Sequence, residues 1–198
     1  CGYTDMRLES GEFAALMTGS IRNEAKAGIQ YRKTGVISGF AAKRLRSFDF
    51  SESGIVTLSY DEKAAEVSPG DWRSFAGYDF SGSCEYVCRL TMPEDAKTGG
   101  MIDLGKVCYA SEILLDGHPL GTRLMPPYRF EVPAGYLTAG DHELRITVTN
   151  TPANRYMGTD FFDRYEEWQL SPYFPKEKTY YPDTAESGLF GPVTVTYE

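Results

Sequence analysis

Four carboxylates crowd one short stretch of the chain: Asp160, Asp163, Glu166 and Glu167. Two carboxyl groups can cleave a glycosidic bond when they flank it at about 5 Å or about 6.5–9.5 Å. One then protonates the leaving oxygen while the other acts as nucleophile or base. The same residues also suit a solvated acidic loop, and that plainer reading is the one adopted. The stretch from 151 to 190 is aromatic as well as acidic, with Tyr156, Phe161, Phe162, Tyr165, Trp168, Tyr173, Phe174, Tyr180 and Tyr181. Aromatic faces suit the C–H faces of sugars, and planar amide and guanidinium groups suit sugar hydroxyls. The candidate carbohydrate-binding residues are therefore Trp72, Tyr78, Tyr128, Asn154, Arg155, Asp160, Tyr165 and Trp168. The alternative is that these rings pack the loop onto its own scaffold or onto a neighbouring domain. Asn154 and Arg155 would then anchor it through backbone hydrogen bonds.

Other chemistries find little support. Neither His118 nor His142 accompanies a G-x-S-x-G nucleophile motif, and both are expected at the surface. No phosphate-loop glycine pattern occurs. The cysteines are Cys1, Cys84, Cys88 and Cys108. On one strand, Cys84 and Cys88 would stand about 13 Å apart, beyond the Cα separation of about 7 Å that a disulfide tolerates. Either could meet Cys108 on a neighbouring strand, but free buried thiols are expected. Unpaired thiols lean towards a reducing, cytoplasmic compartment. The histidines lie too far from any cysteine pair for a zinc site.

The elements that would position these residues follow from composition and pattern. Hydrophobic residues make up 41% of the 198 and charged residues 24%, which is a globular balance. A net charge of −8 argues against nucleic acid and anionic membranes as partners. No apolar run reaches the length of a transmembrane helix. The chain starts Cys1-Gly2-Tyr3-Thr4-Asp5, with neither a basic nor an apolar leader region. The leading Cys is read as a chain boundary, or else as the acylated end of a lipoprotein.

Phe13, Met17, Ile21, Ala25 and Ile29 recur every four residues, which predicts a helix over 11–31. Ser10 would cap that helix and Thr34-Gly35 would close it. From about residue 47 the period becomes two. Strands are expected around Ile55–Tyr60, Tyr86–Leu90, Met101–Leu104, Tyr109–Leu115, Tyr128–Val132, Leu144–Val148 and Val193–Tyr197. Asp116-Gly117 predicts a type I′ hairpin, because both central positions need positive φ. Pro126-Pro127 marks an edge segment, and Gly191-Pro192 is expected to admit the last strand at an edge. Seven or eight short strands with turns between them indicate an all-β antiparallel sandwich or jelly roll with a short helical N-terminal segment.

A series of short motifs then stands in order. It runs Asp79-Phe80-Ser81-Gly82, Ile102-Asp103-Leu104-Gly105, Ser111-Glu112-Ile113-Leu114-Leu115-Asp116-Gly117 and Leu120-Gly121. It continues with Pro126-Pro127-Tyr128-Arg129-Phe130, Gly140-Asp141-His142-Glu143-Leu144, Val148-Thr149-Asn150-Thr151, Asn154-Arg155 and Gly188-Leu189-Phe190-Gly191-Pro192-Val193. Over residues 71–197 this resembles the galactose-binding-domain-like jelly roll of glycoside hydrolases. It is most similar to the non-catalytic sandwich of family 2-type and bacterial α-L-rhamnosidase-like enzymes.

The resemblance implies that catalysis resides in a separate barrel, for which this chain has no room beside a sandwich. With the change of period near residue 47, the sandwich is expected over residues 47–198, and 1–46 is expected as an N-terminal helical segment, either its own or the tail of a preceding domain. No cofactor is expected, although the resemblance allows a structural calcium ion, to which Asp160 and Asp163 could contribute. It also allows a secreted or cell-envelope location. The expected function is a non-catalytic carbohydrate-binding accessory domain of a bacterial glycoside hydrolase. The alternative is a structural module that packs against the catalytic domain of the same polypeptide and binds no free sugar.

Overall fold

The computed structural model describes residues 17–25, 28–51, 54–59, 63–94, 96, 99–157 and 185–197. They form an all-β, antiparallel sandwich. The first sheet contains, in spatial order, β1 (Met17–Ala25), β2 (Gly28–Val36), β14 (Thr194–Tyr197), β7 (Gly100–Asp103) and β11 (Arg129–Val132). The second runs β10 (His118–Arg123), β9 (Ala110–Leu115), β12 (Gly140–Thr149), β6 (Gly82–Met92), β3 (Phe40–Ser51) and β4 (Gly54–Ser59). A short β5 (Ala65–Val67) also pairs with β3. A two-stranded ribbon joins β8 (Lys106–Cys108) to β13 (Gly188–Gly191). Two short helices, α1 (Arg73–Ala76) and α2 (Ala153–Met157), lie in the connections.

The core follows from strict alternation. On β6, Cys84, Tyr86, Cys88, Leu90 and Met92 are buried, while the residues between them face outward. On β12 the buried set is His142, Leu144, Ile146 and Val148. Successive side chains on a strand point to opposite faces, so one pleat supplies both a core face and a solvent face. Ile102, Phe130, Val195 and Tyr197 meet this layer from the other sheet's strands as members of the same buried cluster. Each such side chain stabilises the fold by about 1.5–3 kcal/mol. The outer face of β6 and β12 carries charge instead. Glu85 sits between Lys43 at 3.5 Å and Arg145 at 3.4 Å, and Arg145 Nε donates to Glu143 at 2.6 Å. Solvated pairs of this kind contribute about 0–1 kcal/mol each. Their main effect is to mark which face must stay out.

The hairpin expected at Asp116-Gly117 is present. Both residues have positive φ, 50° and 79°, and His118 pairs with Leu115 across the turn. The edge position expected for the segment after Pro126-Pro127 is also found, because β11 is the last strand of its sheet.

Two expectations need correction. The residues read as a helix over 11–31 form strands wherever they are described: β1 and β2 pair from Met17↔Val36 to Ala25↔Gly28. A repeat of four is a multiple of two, so it marks one side of a strand as readily as one stripe of a helix. The last strand is not at an edge, since β14 lies between β2 and β7 and is hydrogen-bonded to both. Gly191-Pro192 precedes that strand rather than standing in its ladder, so the missing proline N–H costs no sheet bond. Strand β3 crosses residue 46 without a break, and β2 bonds to the C-terminal strand.

Candidate functional site

The register places the strand ends so that many predicted residues gather at one end of the sandwich. There β12 stops at Thr149 opposite Ser83 near the start of β6. Asn150 follows immediately and is 6% exposed. Its side-chain oxygen accepts the Gly82 N–H at 2.8 Å, and its amide nitrogen lies 2.9 Å from Phe80 O and 3.0 Å from Ser187 Oγ. Asn154, one turn further on, has its amide nitrogen 3.2 Å from Ala185 O and 3.4 Å from Tyr78 O. Ser187 Oγ reaches Asn154 Oδ1 at 3.2 Å. This neutral network ties three connections together: the one before β6, the one after β12 and the one before β13. A buried amide without such partners would cost about 1–3 kcal/mol.

Four of the predicted sugar-binding residues meet here, but they play different parts. Trp72 is wholly buried, packs edge-on against Phe80 at 5.7 Å and donates its backbone N–H to Ser187 O at 2.8 Å. It presents no ring face to solvent. Asn154 is 2% exposed and its polar groups are turned inward. Arg155 donates its backbone N–H to Ser81 Oγ at 2.9 Å, and its guanidinium reaches Asp79 at 3.1 Å. Tyr78 alone is open, 74% exposed, with the Arg73 guanidinium 5.4 Å from its ring centre. Tyr128 is buried, and its carbonyl accepts the Leu104 N–H at 3.0 Å. Burial pushes its hydroxyl above the usual tyrosine range, with the neighbouring Cys108 and Tyr109 adding to the effect. Asp160, Tyr165 and Trp168 lie outside the described residues, as do Asp163, Glu166 and Glu167.

The electrostatics of this end are those of paired charges. Asp71 holds Arg73 at 2.7 Å, Asp79 holds Arg155, and Asp103 holds Arg129 at 2.7 Å. Glu186 holds Lys106, and that bond keeps the Lys106 ammonium above its ordinary value. Among the described residues, no three His, Cys, Asp or Glu side chains group to hold a metal ion. Exposed apolar side chains are also present at this end: Leu124 at 72% and Met125 at 70%, followed by exposed Pro126 and Pro127.

A cleft lies at the opposite end, where β12 begins. It has a volume of about 900 Å³ and is lined by Ser38, Glu66, Arg89, Asp116, His142 and Glu143 among others. The surface position expected for His142 is not found: it is 8% exposed and bonded at both ring nitrogens. It falls on the inward side of β12, in phase with Leu144, which the alternation alone would have shown. His118 is exposed as expected. Cys84, Cys88 and Cys108 are free and buried.

Comparison with known proteins gives a consistent fold. No family model matches the chain. An alignment 115 residues long, covering 48% of the chain, is 31% identical to the protein named "Putative beta-glucuronidase" of Formosa agariphila. The chain spans only 10% of that relative's length. The β-D-glucuronidase of Dictyoglomus thermophilum superposes with a TM-score of 0.52 at 14% identity, over 83% of this chain and 28% of that one. The Faecalibacterium prausnitzii β-glucuronidase gives 0.52 at 13% identity, over 97% and 33%. The GH2 β-galacturonidase of Eisenbergiella tayi gives 0.50 at 16% identity, over 84% and 24%. The chain thus has the all-β sandwich fold that makes up a quarter to a third of these glycoside hydrolases.

Proposed function

We propose that this chain is a non-catalytic sandwich domain of a glycoside hydrolase, and that its main work is structural, packing against the catalytic domain of the same polypeptide. The observation that carries this reading is the inward turn of the candidate sugar ligands. Asn154 spends its amide on Ala185, Tyr78 and Ser187, while Trp72 and Tyr128 are buried. A sugar site needs polar groups that converge on open space. The exposed run of Leu124, Met125, Pro126 and Pro127 at the same end supports contact with another protein surface instead. Carbohydrate binding is the second reading, favoured by Tyr78, whose exposed ring stands beside the Arg73 guanidinium.

The test is a titration of the purified chain with oligosaccharides containing glucuronic acid, galacturonic acid, galactose and rhamnose, followed by calorimetry and backbone amide shifts. The structural reading expects no saturable response up to millimolar sugar. A saturable response that Tyr78→Ala removes would establish the second reading in its place. Hydrolysis of an aryl glycoside by the chain alone would overturn the non-catalytic assignment.

A further inference from the structure

The chain has two histidines, and both join the same two segments. One segment is the β9–β10 hairpin with its Asp116-Gly117 turn; the other is the connection 133–139 that leads into β12. The His118 ring stands edge-on to Tyr136 at 4.8 Å. His142 does more. Its Nδ1 lies 2.6 Å from Asp116 Oδ2, and its Nε2 lies 2.8 Å from the Thr138 carbonyl oxygen. A carbonyl oxygen can only accept, and so can an ionised carboxylate. A neutral imidazole offers one N–H and one lone pair, so it satisfies only one of these neighbours. The imidazolium offers two N–H groups and satisfies both.

The surroundings favour that form. Asp141 and Glu143 of β12, Glu66 of β5 and Asp116 of the hairpin line the same cleft, against Arg89 of β6 as the positive group. Cys88 of β6 also lines it, and burial pushes its thiol up to about 12, so it is neutral. His118 adds to the positive field at Asp116. Asp116 is fixed from the other side as well: its Oδ1 accepts the Glu143 N–H at 2.7 Å, and its own N–H donates to Glu143 O at 2.9 Å.

We propose that His142, held between Asp116 and Thr138, is a pH-sensitive latch that binds the β9–β10 hairpin to segment 133–139 and shapes one wall of the cleft. The latch is closed while the imidazole carries both protons and is released when it loses one, because a lone pair then faces an acceptor. On the acid side, burial pushes the Asp116 carboxyl up, but the hydrogen bonds from His142 and the Glu143 N–H outweigh this and hold it below 3.8. The Asp116 contribution is therefore present above that value and is lost only as pH falls below it. The latch is whole while the His142 imidazole carries both protons and weakens as rising pH removes one.

Hydrogen exchange of the intact chain from pH 5 to pH 8.5, corrected for intrinsic rates, tests this. Protection of 112–123 and 133–139 is expected to fall about tenfold between these two pH limits, the effect of losing one charged hydrogen bond. Asp116→Asn keeps an acceptor for the Glu143 N–H and should flatten that dependence. His118→Ala should leave it intact. A flat wild-type profile, a dependence that survives Asp116→Asn, or one that His118→Ala abolishes would each overturn the latch. Nitrogen-15 spectra of the wild-type imidazole give a second readout. Two ring N–H protons on His142 near pH 5.5 are expected, and a neutral tautomer there would sink the idea without any variant.

Discussion

Asn150 and Gly82, sixty-eight positions apart, are joined by two reciprocal bonds: the Gly82 N–H donates to Asn150 Oδ1 at 2.8 Å, and the Asn150 N–H donates to the Gly82 carbonyl at 3.0 Å. The second bond belongs to the backbone and survives any substitution at 150. The first, and the side-chain bonds to Phe80 and Ser187, do not. Asn150→Ala should therefore cost about 3 kcal/mol, since it strands several buried groups at once. Asn150→Asp keeps the acceptor for Gly82 but places a carboxylate against the Phe80 carbonyl, so it should cost at least as much. Urea unfolding with an unchanged m-value checks both. A loss under about 1 kcal/mol for Asn150→Ala would mean that the network is not closed in solution.

Two glycines should separate steric from conformational need. Gly82 has φ +156°, and a Cβ built there would lie 1.9 Å from the Arg46 carbonyl oxygen, which is rigid backbone. Gly117 has φ +79° with nothing within 4 Å of such a Cβ. Gly117→Ala should thus cost only the left-handed backbone penalty, about 1–2 kcal/mol. Gly82→Ala must also push β3 away from β6 and should cost about 3 kcal/mol or more. Thermal or urea midpoints give the comparison. Equal losses at the two sites would show that β3 yields easily.

What the residue pattern made legible was set by local physics. Leu144, Ile146 and Val148 alternate so cleanly that a half-buried strand was their only comfortable state, and Asp116-Gly117 had one favoured turn. The N-terminal stripe failed because Met17, Ile21 and Ala25 are spaced by four, a separation common to both periodicities; only partners can choose between them. Here β1 pairs with β2, and β2 is held in the sheet by β14, which stands far off in sequence. The position of β14 was hidden for the same reason. The site was harder still. Trp72 and Asn154 are the right residue types for a sugar, and nothing in their neighbours says that one packs on Phe80 and the other bonds to Ala185. Asn150 could have been marked, since an Asn directly after a regular strand and four before another Asn is well placed to clasp a turn. His142 was recoverable from phase alone, being two residues before Leu144.

The buried thiols provide a last prediction, in which pH and reactivity must agree. Cys84 and Cys88 point inward from β6 and are 0% and 3% exposed. Burial pushes both thiols up, for Cys84 against the lowering effect of Arg44, and for Cys88 to about 12. The thiolate is the reactive form, so neither should react with a thiol reagent at pH 8 unless the sheet opens. Peptide mapping after alkylation distinguishes them from Cys108, and their labelling rate should track global unfolding as urea is added. The same shift fixes the sign of the pH effect. A thiol whose folded value lies above its unfolded one contributes fully below the unfolded value. For Cys88 that contribution is lost as pH rises from 9.0 towards about 12, because the unfolded chain gives up its proton first. Each thiol can remove at most about 1.4 kcal/mol per pH unit in that window. Urea midpoints should therefore decline between pH 9 and pH 10.5. Rapid labelling of both cysteines in the native chain at pH 8, with no such decline, would contradict their burial.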